Sequence, residues 1–286
     1  MNDQAQKLRM LVQDRQGNHA KTLAVVSGKG GVGKSNISIN TAMILNKKGY
    51  KILLFDLDIG MGNVNIMLGY SSPKTIADFL KRDIPITDIV YTTGEGISYI
   101  SAGNGLNETL ELNEMMLSKL LNGLSDLQQD YDFIIFDMAA GATASTLKIL
   151  LAVDEIFVIS TPEPTSMTDA YSMMKFISLE GSSSVFYLIC NRAESEKQGR
   201  ETLNRLKQTA VKFLQKDVVL LGVLPEDQHV RKAVISQTAF SIKFPSSSIT
   251  VKLERLIDQY LNKKQAVDHN PAHSFIGKLR SLFFQK

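Results

Sequence analysis

A chain of 286 residues can serve one large hydrophobic core or two modest ones, and its 44% hydrophobic and 21% charged residues are those of an ordinary globular protein. The net charge of +3 argues neither for nor against nucleic acid. Cys190 is the sole cysteine, which excludes an intrachain disulfide framework and a cysteine-cluster metal site; it falls in the apolar run 185–190, where a small buried hydrophobe is expected.

The first 20 residues are polar, with neither a burying period nor the apolar core of a signal peptide. Residues 22–26 then read as a short buried strand broken at Ser27-Gly28. A helical pattern runs over 35–48 through Ile37, Ile39, Met43, Ile44 and Leu45 until Gly49 stops it, and 51–55 is the next strand. The spacing predicts further strands at 96–100, 131–136, 155–160, 185–190 and 218–223. Helices are expected at 110–129, 147–151, 170–178, 202–214 and 249–261. Short apolar strands alternating with helices predict an α/β fold, a mainly parallel β-sheet flanked by helices on both faces. One domain is expected over 21–262, with 1–20 a flexible N-terminal element, 263–273 a polar linker and 274–286 a separate apolar-basic segment. No run approaches the roughly 18 apolar residues that a membrane span needs, so the expected compartment is cytoplasmic.

Gly28-Lys29-Gly30-Gly31-Val32-Gly33-Lys34-Ser35 fits the G-x-x-x-x-G-K-[ST] phosphate loop between a strand and a helix. Glycines let successive backbone N–H groups turn inward around phosphate oxygens, and the following helix adds its unpaired N-terminal donors. In such a loop Lys34 would reach the β- and γ-phosphates of a nucleoside triphosphate, and the Ser35 hydroxyl would hold Mg²⁺. A Mg²⁺-nucleotide site also needs carboxylates at the C-terminal ends of strands. Asp137 ends an apolar strand as a Walker-B aspartate does; a helix cap is its bland reading. Asp56 and Asp58 follow the second strand two residues apart, close enough that they need Mg²⁺ or separation by the turn. Asp58 is taken to orient or deprotonate attacking water, with Asp56 in support. Asn191-Arg192 and Pro225-Glu226-Asp227 fall at the same sheet edge, as base-recognition groups or as ordinary surface turns.

Together these motifs resemble the deviant Walker A ATPases of the MinD/ParA type. Lys29 matches that family's extra loop lysine, 56–60 with Asn63 its switch I, 137–141 its switch II, and 191–192 and 224–228 its adenine-binding segments. The resemblance covers about 21–262 and implies an ATP-sandwich dimer in which Lys29 reaches across to the partner's phosphates. It further implies that Asp58 serves the hydrolytic water, Asp58 and Asp137 the Mg²⁺ shell, and Asn191 the adenine. Within this family the N-terminal Asp3, Gln4, Ala5, Leu8 and Arg9 are similar to the element by which flagellar-placement regulators of the FlhG (YlxH, FleN) group activate the signal-recognition-type GTPase FlhF. That group also implies a flagellar switch-complex (C-ring) partner. Ala139 and Ala144 depart from the family's switch II pattern.

Wound as a helix, Phe275, Ile276, Leu279, Leu282 and Phe283 share a sector about 100° wide, with Lys278 and Arg280 outside it. This predicts an amphipathic helix for an anionic membrane surface, with docking on the protein's own core as the competing use of the same face. A metabolic kinase or ligase would need an acceptor that the sequence does not reveal. A partition-type ATPase would bind DNA through surface lysines, and DNA is not the expected partner.

Overall fold

The computed structural model describes residues 19–58, 62–102, 114–139, 141, 144–264 and 275–284. Strand β1 (Lys21–Val26) leads through the glycine-rich turn into α1 (Lys34–Lys47), and β2 (Ile52–Asp56) completes the first unit. Two short helices follow, α2 (Val64–Leu68) and α3 (Ile76–Lys81), then β3 (Tyr91–Thr92), β4 (Ser98–Ile100), α4 (Glu114–Leu127) and β5 (Phe133–Asp137). The second half runs α5 (Ala144–Ala152), β6 (Glu155–Ser160), α6 (Pro164–Leu179), β7 (Val185–Ala193), α7 (Glu196–Leu214) and β8 (Val219–Pro225). It closes with α8 (Gln228–Ile235), α9 (Phe240–Lys243), α10 (Ser248–Lys264) and α11 (Phe275–Phe284).

The strands form one sheet ordered β3-β4-β2-β5-β1-β6-β7-β8, parallel throughout except for β3. The apolar runs have the consequence the sequence predicts. Alternate β1 residues feed opposite faces, Ala24 and Val26 one core and Leu23 and Val25 the other. The first face packs α3 to α7 and the second α1 and α8 to α10. The chain leaves central β1 toward β2 and β4 on one side, and β6, β7 and β8 lie on the other. The loops at the C-terminal edge therefore part around β1, which opens a crevice there. At the opposite edge Lys21 and Glu155 form a buried ion pair at 2.6 Å, and the Tyr187 and Tyr260 hydroxyls both donate to Glu155.

The C-terminal segment forms a helix, yet its apolar face is not presented to lipid. Phe275, Ile276 and Leu279 are buried, and Leu282 and Phe283 are partly buried against the same core. The helix packs on α4 and α5; the Phe275 ring lies 5.5 Å from that of Phe136, and Lys148 sits over the ring of Phe283. The physical reason is that an apolar sector this wide is buried more favourably against a preformed apolar groove than left in water. In this conformation the five residues take the competing use of the face, docking on the protein's own core. No helix among the described residues is long and apolar enough to cross a membrane.

Candidate functional site

The glycine-rich turn is built by close packing. A Cβ on Gly28 would stand 2.1 Å from the Asp169 backbone, so α6 presses directly on the loop. Gly33 caps α1 with φ 92°, and a Cβ there would stand 2.4 Å from the Asn191 amide nitrogen. Around Gly30 and Gly31, by contrast, a Cβ would meet nothing within 4 Å, which leaves open space over the loop. Ser27 Oγ donates to the Lys29 carbonyl at 2.9 Å, Asn191 Nδ2 to the Val32 carbonyl at 2.8 Å and Arg192 Nη1 to the Gly31 carbonyl at 3.3 Å.

Beneath the loop, Lys34 and Asp137 are both buried, with Nζ 3.6 Å from Oδ1. Ser38 Oγ donates to the same carboxylate at 2.9 Å, and the Ser35 hydroxyl lies near enough to favour its ionised form. Burial pushes the Asp137 carboxyl up, while Lys34 and the two serine hydroxyls pull it down. Ser38 went unnoticed in the sequence, although its place one turn beyond Ser35 puts both hydroxyls on one helix face. Among the described residues no group of three His, Cys, Asp or Glu could hold a metal ion. The residues present nonetheless fit Mg²⁺, which keeps water and phosphate oxygens and takes only a carboxylate or a hydroxyl from the protein. Ser35 and Asp137 are placed together to supply those.

Asp56 lies opposite Asp137 in the β2–β5 register and is buried. Its carboxylate accepts the backbone N–H of Asp58 at 3.0 Å and of Val64 at 3.4 Å, so it clasps both ends of the loop that starts after β2. The strand stops at Asp56, and Asp58 sits half-buried beyond it. The Asp56 carboxyl is pushed up to about 7, by burial first and then by Asp137, against the two N–H bonds. A carboxyl raised in the fold ionises more readily in the unfolded chain. Its favourable share of stability is complete below the ordinary 3.8 and is lost as pH rises through about 7. In buffer free of nucleotide and Mg²⁺, Asp56→Asn should therefore gain Tm relative to the parent between about pH 4 and about pH 8. A difference that stays flat across that range in parallel melts would contradict the assignment.

Lys29 does not face its own phosphate site. Its ammonium is bound to Glu163 Oε2 at 2.6 Å and to Thr165 Oγ1 at 3.1 Å at the start of α6. This bond holds the Glu163 carboxyl below its ordinary range. Glu163 was not singled out in the sequence; its position three residues beyond β6, at the edge shared with the loop, was the available signal. Arg192 also pairs with Glu226, at 2.7 Å. A cavity of about 500 Å³ opens beside the loop, lined by Gly33, Asn191, Pro225, Glu226, Asp227 and Phe240 among others. Asp227 lines it with its carboxylate already engaged. Oδ1 accepts from the His229 N–H and ring, and Oδ2 from the Ile249 N–H, so it caps α8 and pins α10.

A family model described as ParA, NUBPL iron-transfer P-loop NTPase, matches residues 18–261. The chain belongs to the MinD/ParA family of P-loop NTPases. Among its relatives, the antiactivator FleN of Pseudomonas aeruginosa is 32% identical over 231 residues, 81% of this chain and 82% of that protein. The flagellum site-determining protein YlxH of Helicobacter pylori is 36% identical over 227 residues, 73% of each chain. The crystal structure of the cell-division ATPase MinD of Pyrococcus furiosus matches with a TM-score of 0.69 at 22% identity, covering 85% of this chain and 99% of that one, a likeness of fold. As a MinD/ParA protein the chain is an ATPase. A cluster held by thiolates would need more than Cys190, which is buried in β7 with its thiol pushed up to about 11 by that burial. Asp3, Gln4, Ala5, Leu8 and Arg9 lie outside the described residues.

Proposed function

We propose that this chain is an ATP-driven positional switch, in which nucleotide joins two copies into a dimer that docks on an anionic membrane surface and hydrolysis releases it. The observation that carries the reading is Lys29. The phosphate site already has Lys34, whereas Lys29 is half-exposed and, among the described residues, its ammonium is held by Glu163 and Thr165 alone. That contact can be exchanged for the phosphates of a partner copy. Asn191, Arg192, Pro225 and Glu226 are proposed to border the adenine, and Asp58 to serve the attacking water.

The finer reading is control of flagellar number and placement, supported by two of the relatives above 30% identity, whose names are an antiactivator and a flagellum site-determining protein. On this reading the N-terminal residues Asp3 to Arg9 activate the GTPase FlhF and the dimer meets a flagellar switch-complex protein. A division-site role is the second reading, favoured by the likeness of fold to the cell-division ATPase MinD. Positional regulation is common to both and is the broader, better supported statement.

The membrane step requires α11 to leave its groove. Vesicles of anionic lipid should pellet the full chain with a slowly hydrolysed ATP analogue, but not with ADP. A chain ending at His273, or one carrying Phe275→Glu and Leu279→Glu, should stay in the supernatant. Equal pelleting of the truncated chain would remove this helix as the anchor. Retention on DNA with ATP alone, weakening steeply with salt, would instead favour a partition-type role.

A further inference from the structure

Asn191 and Arg192 are consecutive residues of one strand, so on regular β-geometry their side chains would point to opposite faces of the sheet. They do not. The β7–β8 register shifts here: Cys190 pairs with Val223 and Ala193 with Pro225, so β7 spends an extra residue. Arg192 is one of the few non-glycine residues with positive φ, at 59°. Such a bulge re-aims side chains at the cost of local backbone strain, and a strained non-glycine residue persists only where its surroundings hold it. The outcome is that both side chains turn toward the phosphate loop and grip adjacent carbonyls, Asn191 that of Val32 and Arg192 that of Gly31.

A trans peptide is planar, with the carbonyl of one residue and the N–H of the next pointing opposite ways. Drawing the Gly31 carbonyl toward β7 turns the Val32 N–H to the far side, and drawing the Val32 carbonyl does the same for the Gly33 N–H. Ser27 fixes the Lys29 carbonyl, and with it the Gly30 N–H, in the same manner. Fixed carbonyls mean fixed donors. From this geometry we infer that the β7 bulge is a positioning device for phosphate binding, in which Asn191 and Arg192 preorient the loop's N–H groups before nucleotide arrives. Asn191 keeps one amide hydrogen and its oxygen for a nucleobase, but its first duty is to the loop. Arg192 is a positioning residue as well, braced by Glu226 at 2.7 Å.

A ligand without a base separates this role from base recognition. Calorimetric titration with Mg²⁺ and either a slowly hydrolysed ATP analogue or inorganic tripolyphosphate supplies the test. Asn191→Leu, which is close in shape but has no donor and adds no charge, should weaken both ligands alike, by about tenfold, the weight of one well-made hydrogen bond. Arg192→Gly removes the second grip while relieving the positive φ. Its Tm should hold or rise, while tripolyphosphate affinity falls several-fold. This split between stability and affinity is one that a merely structural role would not give. Tripolyphosphate binding equal to the parent's in both variants would overturn the proposal, whether or not ATP binding changes. A parent chain that binds neither ligand would sink the phosphate site itself, and the proposal with it.

Discussion

Lys34→Ala is expected to lower affinity for Mg-ATP by roughly a hundredfold or more, since charge-assisted hydrogen bonds to phosphate are worth about 1.5–3 kcal/mol each. The geometry makes the loss hard to repair. Lys34 is buried at the first position of α1, beneath the open space over Gly30 and Gly31, and its nearest anion is Asp137 at 3.6 Å. Another side chain cannot easily swing into that place, and water would bring no charge. Among the described residues the variant also leaves Asp137 with serine hydroxyls alone to favour its ionised form, so its carboxyl should climb further. Calorimetry reads the affinity, and an unchanged value would contradict the role given to this lysine.

Asp58→Ala is expected to bind ATP normally and to turn it over about 10²–10⁴-fold more slowly, the usual weight of a positioned general base. The distinction from Asp56 is structural. Asp56 is buried and spends its oxygens on the N–H groups of Asp58 and Val64, whereas Asp58 is half-buried at the start of the loop that Asp56 clasps. Asp56 therefore supports the loop, and Asp58 is the carboxylate left available to water. Single-turnover measurement at saturating ATP separates binding from chemistry. Parent-like turnover would move the role elsewhere, with Asp56 the first candidate.

Much of the fold was legible because the buried strands are apolar on both faces. Only β6 has the expected bounds; the others are displaced by one to three residues at an end. The elements that were missed are short. α2, α3, α8 and α9 have four to eight residues, too few to display a helical period, and β3 has two. For α3 a local signal did exist, the reciprocal capping of Thr75 and Asp78. The phosphate loop was legible because one contiguous segment builds it. Its environment was not, because Glu163 reaches Lys29 from 134 residues away. The bulge that aims Asn191 and Arg192 at the loop likewise depends on register with β8, which no spacing within β7 reveals. The amphipathic face of 275–284 was correctly read as amphipathic. What it packs against depended on the groove that α4 and α5 form, and that groove lies beyond any local pattern.

The central claim is that ATP joins two copies through Lys29. Light scattering of the purified chain with ADP and with a slowly hydrolysed ATP analogue tests it most directly, with Lys29→Ala run alongside. The account predicts a monomer with ADP, a dimer with the analogue, and a Lys29→Ala chain that binds the analogue yet stays monomeric. A parent chain that remains monomeric with the analogue, or a Lys29→Ala chain that dimerises as the parent does, would contradict it.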